Sequence, residues 1–142
     1  MHIQQSDLFW GLNQGFVGRI MSIAQTHSLE PGTVLFRAEH RAEHFYILAK
    51  GQVQLRLEPG DRPIYTCSKI GETFGWSSLT QRSVYSAAAV CLAPTVVLRF
   101  TSSELCRILE EDAENGLIFF RQLAGALGNR LIAAYNMVSG AG

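Results

Sequence analysis

From Thr26 to Phe100 the apolar residues alternate with polar ones or fall in short runs, and Gly or Pro interrupts them every ~8–12 residues. No helix of useful length fits that punctuation, so this part of the chain must be a set of short strands. Gln52-Val53-Gln54-Leu55-Arg56-Leu57-Glu58 is the clearest, a strict alternation that turns one face to a core. Before it, Ser28-Leu29 and Thr33–Phe36 flank Pro31-Gly32, where Pro at i+1 and Gly at i+2 suit a type II turn. His44–Lys50 is strand-like and ends at Gly51. After the Pro59-Gly60-Asp61-Arg62 turn, Ile64–Ile70 returns, and Ser86–Cys91 and Thr95–Phe100 close the set. About eight strands so joined predict an antiparallel sandwich or barrel.

Helices flank this unit. Leu8, Phe9, Leu12, Phe16, Ile20 and Ile23 form one apolar face within a helical segment over 5–25, with Ser6 or Asp7 as its cap. Gly11, Gly15 and Gly18 predict a break into two short helices. Thr101-Ser102-Ser103-Glu104 has capping-box spacing and opens a helix to about Glu110. A longer helix follows from about Glu114 to Val138, and the end 139–142 is expected to fray. Along it Phe120, Ala124, Leu127, Leu131, Ala134 and Val138 recur at four, three, four, three and four residues. That heptad seam suits pairing with a second copy of the chain, a homodimer; the alternative is packing on its own roll. The expected layout is one domain, 1–142, with strands over 26–101 and C-terminal helices over 102–138.

Twelve Lys and Arg balance twelve Asp and Glu, so the chain has no electrostatic footprint for direct nucleic-acid binding or an anionic membrane. No apolar run approaches ~20 residues, and no basic, then apolar leader opens the chain. Cys67, Cys91 and Cys106 are odd in number and far apart, as in a reduced, cytoplasmic protein. His40-Arg41-Ala42-Glu43-His44 has the H-x-x-E-H pattern, but it lies between strands rather than on a helix, so no metal is expected. His2 and His27 add no strand-borne ligand cluster, and no G-x-S-x-G occurs; an enzyme is not expected. The charges of Arg56-Leu57-Glu58 and Glu110-Glu111-Asp112 read as solvated faces.

The stretch 71–87, Gly71-Glu72-Thr73-Phe74-Gly75-Trp76-Ser77-Ser78-Leu79-Thr80-Gln81-Arg82-Ser83-Val84-Tyr85-Ser86-Ala87, has closely spaced glycines and small hydroxyl residues. Such a loop can cradle an anion with backbone N–H groups. With Leu29–Arg37 and Phe45–Val53 it resembles the cyclic nucleotide-binding domain of the catabolite-activator family. The resemblance implies a mainly β fold with flanking helices: an eight-stranded antiparallel jelly-roll (double-stranded β-helix) barrel, N-terminal helices and a long, dimerising C-terminal helix. It implies a regulatory module with a small-molecule ligand, a cyclic nucleotide or a relative, gripped by Phe74, Gly75, Trp76, Ser77, Ser78, Arg82, Tyr85, Ser86 and Ala87. The chain stops where that family's DNA-binding helices begin, so DNA binding is not expected here.

In that family a Glu after Phe-Gly accepts from the ribose 2′-hydroxyl, and an Arg nine residues on holds the phosphate. The register through Phe74-Gly75 puts Trp76 and Tyr85 at those positions. A second register uses Gly71 and Glu72 with Arg82 and Ser83, at a spacing of ten. In the first, an indole cannot accept and a phenol carries no charge. Each loss is worth ~1.5–3 kcal/mol, together ~10²–10⁴ in affinity. Standard cyclic AMP or cyclic GMP binding is therefore not expected. Trp76 is either an aromatic floor for a less charged ligand or, with Tyr85, filler of an occluded pocket.

Overall fold

The computed structural model describes residues 7–140. Among the described residues, eight strands form two four-stranded sheets. The first has the order β1 (Gln25–Leu29), β8 (Thr95–Thr101), β3 (His44–Lys50), β6 (Thr73–Phe74); the second β2 (Val34–Phe36), β7 (Ala88–Cys91), β4 (Val53–Leu57), β5 (Arg62–Cys67). All pairings are antiparallel. Except for the β4–β5 hairpin, consecutive strands switch sheets, which gives the expected jelly roll. The turn at Pro31-Gly32 closes with a Thr33 N–H to Glu30 O bond of 3.1 Å, and Gly32 takes φ +86°.

The alternation along β3 explains why it is central. Phe45 and Ile47 face one apolar cluster, Tyr46 and Leu48 another. The second cluster fills the space between the sheets. The first lies outside the roll, where α1 (Gln14–Ser22), α2 (Ser102–Glu111) and the start of α3 (Ala113–Gly140) cover it through Phe16, Ile20, Leu105, Phe119 and Leu123.

Several boundaries differ from the sequence expectation. The N-terminal segment does break, into a 3-10 turn at Asp7–Phe9 and α1. The cap of α1 is Asn13, whose Oδ1 accepts from Gly15 N at 2.8 Å and Phe16 N at 3.4 Å; Ser6 lies outside the described residues. β5 starts at Arg62 and ends at Cys67, because the Ser68 and Lys69 amides turn to the Glu72 carboxylate. Thr101 is the cap of α2, but its side chain makes no capping bond. Thr101 is also the last residue of β8, and the neighbouring Ser102 N–H donates to Glu43 O at 2.9 Å. The Glu110–Asp112 charges are not merely solvated: Glu111 pairs with Arg19 at 3.0 Å, and Asp112 accepts from Asn115 N at the start of α3. Glu58 likewise pairs with Arg37 at 2.8 Å.

Candidate functional site

β6 delivers Phe74 into the core, Gly75 follows with φ +77°, and Trp76–Leu79 form one 3-10 turn. A Cβ on Gly75 would stand 2.9 Å from His44 O and 3.1 Å from a Tyr46 ring carbon, so only glycine fits this turn. The hydroxyls mostly serve the loop itself. Ser78 Oγ donates to Gly75 O at 2.8 Å, Thr80 Oγ1 donates to Ser77 O at 3.1 Å, and Thr80 Oγ1 accepts from Arg82 N at 3.1 Å. Ser77, Ser78 and Ala87 are buried, whereas Ser83 and Ser86 are exposed.

Tyr85 is 3 % exposed and faces inward. Its ring stacks on Phe36 at 3.7 Å between centroids, beside the stacked pair Tyr46–Phe74 at 5.0 Å. Its hydroxyl donates to His44 O at 2.8 Å and accepts from His44 N at 3.0 Å. Burial pushes the phenol's pKa up, so it stays neutral. Four aromatic rings thus occupy the roll behind the cassette. The backbone on either side of Tyr85 is zipped to the β2–β3 connection: Tyr85 N to His40 O, Glu39 N to Tyr85 O and Ala42 N to Ser83 O, at 2.9–3.0 Å. The H-x-x-E-H segment is therefore a backbone partner of the cassette. Among the described residues no group of three His, Cys, Asp or Glu could hold a metal.

Trp76 is half-buried, and the exposed Arg82 holds its guanidinium 5.9 Å from the indole centroid. Arg82 is brought to Trp76 rather than to Glu72. Glu72 accepts from the Tyr65 hydroxyl, from Ser68 N at 2.8 Å and from Lys69 N at 2.9 Å. Burial works to raise the Glu72 pKa, but these bonds and the nearby Arg130 outweigh it and hold it below the usual carboxylate value. Among the described residues no hydrogen bond or ion pair joins Glu72 to Arg82.

Arg130 is the residue that sequence reasoning missed. From α3 its Nη2 donates to Thr73 O and, at 3.7 Å, to Cys67 Sγ, and its guanidinium lies 4.6 Å from the Tyr65 ring centroid. α3 is thereby tied to β5 and β6. Burial pushes the Cys67 thiol up to about 12, although Arg130 pulls the other way. Nothing local marks Arg130, because its partners are 57 and 63 residues distant in the chain. Beside this tie a cleft of about 510 Å³ opens between α3, the β5–β6 turn and Trp10.

Comparison with known proteins agrees with this architecture. The catabolite activator protein of Thermus thermophilus has a TM-score of 0.75 at 26 % identity, over 94 % of this chain and 62 % of that one. A candidate cyclic nucleotide-binding protein from Geobacter metallireducens has a TM-score of 0.78 at 24 % identity, over 87 % of this chain and 91 % of that one. That second likeness shows the fold alone. A candidate potassium channel protein of Rhodopseudomonas palustris is 28 % identical over 105 residues. They amount to 74 % of this chain and 26 % of that protein, so the chain spans about a quarter of the curated relative it matches. The pattern of the cyclic nucleotide-binding domain itself runs through residues 26–112, from β1 to the end of α2. With well over half of its length matched, the chain belongs to the cyclic nucleotide-binding domain family.

Proposed function

We propose that the chain is a regulatory domain, not a catalyst, that does not hold cyclic AMP or cyclic GMP through its cassette in the family's usual manner. The observation that carries this is Tyr85. The side chain in the place of the phosphate-binding cation is neutral, buried against Phe36 and bonded through its hydroxyl to the His44 backbone. It offers an incoming phosphate no charge and no free donor. Isothermal calorimetry of the full chain with each nucleotide tests the reading. No heat is expected at millimolar ligand. Micromolar binding that Arg82→Ala removes would move the phosphate grip to Arg82 and the acceptor to Glu72, and would overturn it.

A second reading makes the chain an interaction module that pairs through α3 without any ligand. Exposure of the seam favours it: Phe120, Ala124, Leu131, Ala134 and Val138 are exposed, and only Leu127 is partly covered by the chain's own core. An apolar stripe of that length on one helix suits burial against a second copy.

A further inference from the structure

The inner face of the roll ends in a polar cluster that the cassette does not use. Strand alternation puts it there. Tyr46 and Leu48 of β3, Val97 of β8 and Leu29 of β1 face the inner cluster, so His44, Arg99 and His27, two residues away from them, share that face. The register sets Arg99 in the middle. It stands opposite Gln25 on β1 and Tyr46 on β3, and diagonal to both histidines. Its Nη2 donates to Gln25 Oε1 at 2.7 Å. Its Nε, and Nε2 of His27, are buried and have no hydrogen-bond partner among the described residues. Two neighbouring side chains are thus short of partners in a place that is half closed to water.

Charge is as one-sided there as hydrogen bonding. His44 is faced by Arg99 from β8, by His27 from β1, by the neighbouring Glu43 and Tyr46, and by Tyr85 from the cassette. Burial keeps both phenols neutral, with the Tyr46 pKa pushed up to about 12. Among the described residues Glu43 is the only carboxylate that acts on His44; its side chain is 57 % exposed and lies 3.6 Å from Arg41 Nε. Arg99 has no ion pair among the described residues. Burial first, then Arg99, lower the His44 pKa below its ordinary value; Glu43 pulls the other way and His27 adds to the fall.

His44 is also the residue to which Tyr85 is fastened, by its N–H at 3.0 Å and its carbonyl at 2.8 Å. A proton on the His44 ring puts a second cation beside Arg99 in a half-buried place. Drawing the first residue of β3 toward water relieves this, and that residue carries both bonds to Tyr85. We propose that His44 is a proton-operated catch: its protonation beside Arg99 loosens the start of β3 and releases Tyr85 from it. The catch is closed at neutral pH and opens in mild acid. A histidine whose pKa is lower in the folded than in the unfolded chain contributes its full stability above ~6.5. That contribution is lost as pH falls from there through the lowered value. Glu72 titrates below the ordinary carboxylate value, so its own effect lies at more acidic pH.

NMR of the full chain from about pH 8 to about pH 5, the span in which histidine changes charge, tests this. The His44 ring should titrate with a midpoint below ~6.5. Amide protection of His44 and Tyr85, corrected for the intrinsic pH dependence of exchange, should fall several-fold through the same midpoint. His44→Gln should keep both amides protected throughout. Arg99→Met should raise the His44 midpoint, and His40→Gln, at an exposed position, should leave it in place. A His44 midpoint at or above ~6.5, protection unchanged across the titration, or a fall that persists in His44→Gln would overturn the proposal. Should His44→Gln fail to fold, the parent's midpoint and its shift in Arg99→Met decide, and an unmoved midpoint counts against the catch. The catch needs the Tyr85–His44 bonds, not the loss of nucleotide binding. Micromolar nucleotide binding beside an intact proton response would count against the proposed function alone.

Discussion

Tyr85 is the residue on which the proposed loss of the usual nucleotide grip rests. Its ring fills the roll, and its hydroxyl satisfies both backbone groups of His44. Tyr85→Phe keeps the packing but removes those bonds. It should lower unfolding stability by ~1–3 kcal/mol, measured by urea denaturation; an unchanged midpoint would mean that the hydroxyl contributes nothing. Glu72 sets a pH signature. Its pKa in the folded protein is depressed, so its stabilising contribution is present above its ordinary value and is lost as pH falls through the depressed one. Glu72→Gln should therefore be less stable than the parent at neutral pH, and the gap should close in strong acid. Thermal melts across that range decide it, and a constant gap would argue against the ionised carboxylate as the stabilising form.

At the scale of elements, the ends of helices separate spacing from geometry. Asn13 is an ordinary residue in a glycine-rich stretch, yet it bonds two amides at the start of α1. Thr101 stands at the head of a capping-box pattern, yet its hydroxyl caps nothing. Asn13→Ala should cost ~1 kcal/mol and Thr101→Ala less than ~0.5 kcal/mol, read from chemical denaturation. Equal losses would mean that the α2 cap bond forms in solution. α3 has a division of its own. Phe119 and Leu123 pack into the core, whereas Phe120, Leu131 and Val138 lie on the uncovered side, Val138 with 77 % of its surface exposed.

For the whole molecule, the proposed pairing through that uncovered stripe predicts a concentration-dependent mass. Leu131→Glu places a charge in the middle of the seam and should shift the chain to monomer in analytical ultracentrifugation, with little change in its circular dichroism. A parent chain that is already monomeric at high concentration would remove the seam proposal. Much of the architecture was legible in the sequence because its signals are local. The alternation of Val53–Leu57, the Pro31-Gly32 turn and the 3.6-residue period of the last helix each act within a few residues. The Phe74-Gly75 turn was legible for the same reason, since its glycine is demanded by backbone conformation and by the close approach of His44 O. That an indole accepts no hydrogen bond and a neutral phenol carries no charge was also legible, since it is a matter of side-chain chemistry. Where those side chains go was not. The stacking of Tyr85 on Phe36, the pairing of 39–42 with 83–85 and the reach of Arg130 to Thr73 and Cys67 join residues far apart in the chain. Sequence alone determined the strands and the turns, because these follow from neighbours along the backbone. Only the tertiary structure decided that aromatic rings occupy the roll and that a separate cleft opens beneath α3, because both depend on which distant surfaces meet when the sheets close.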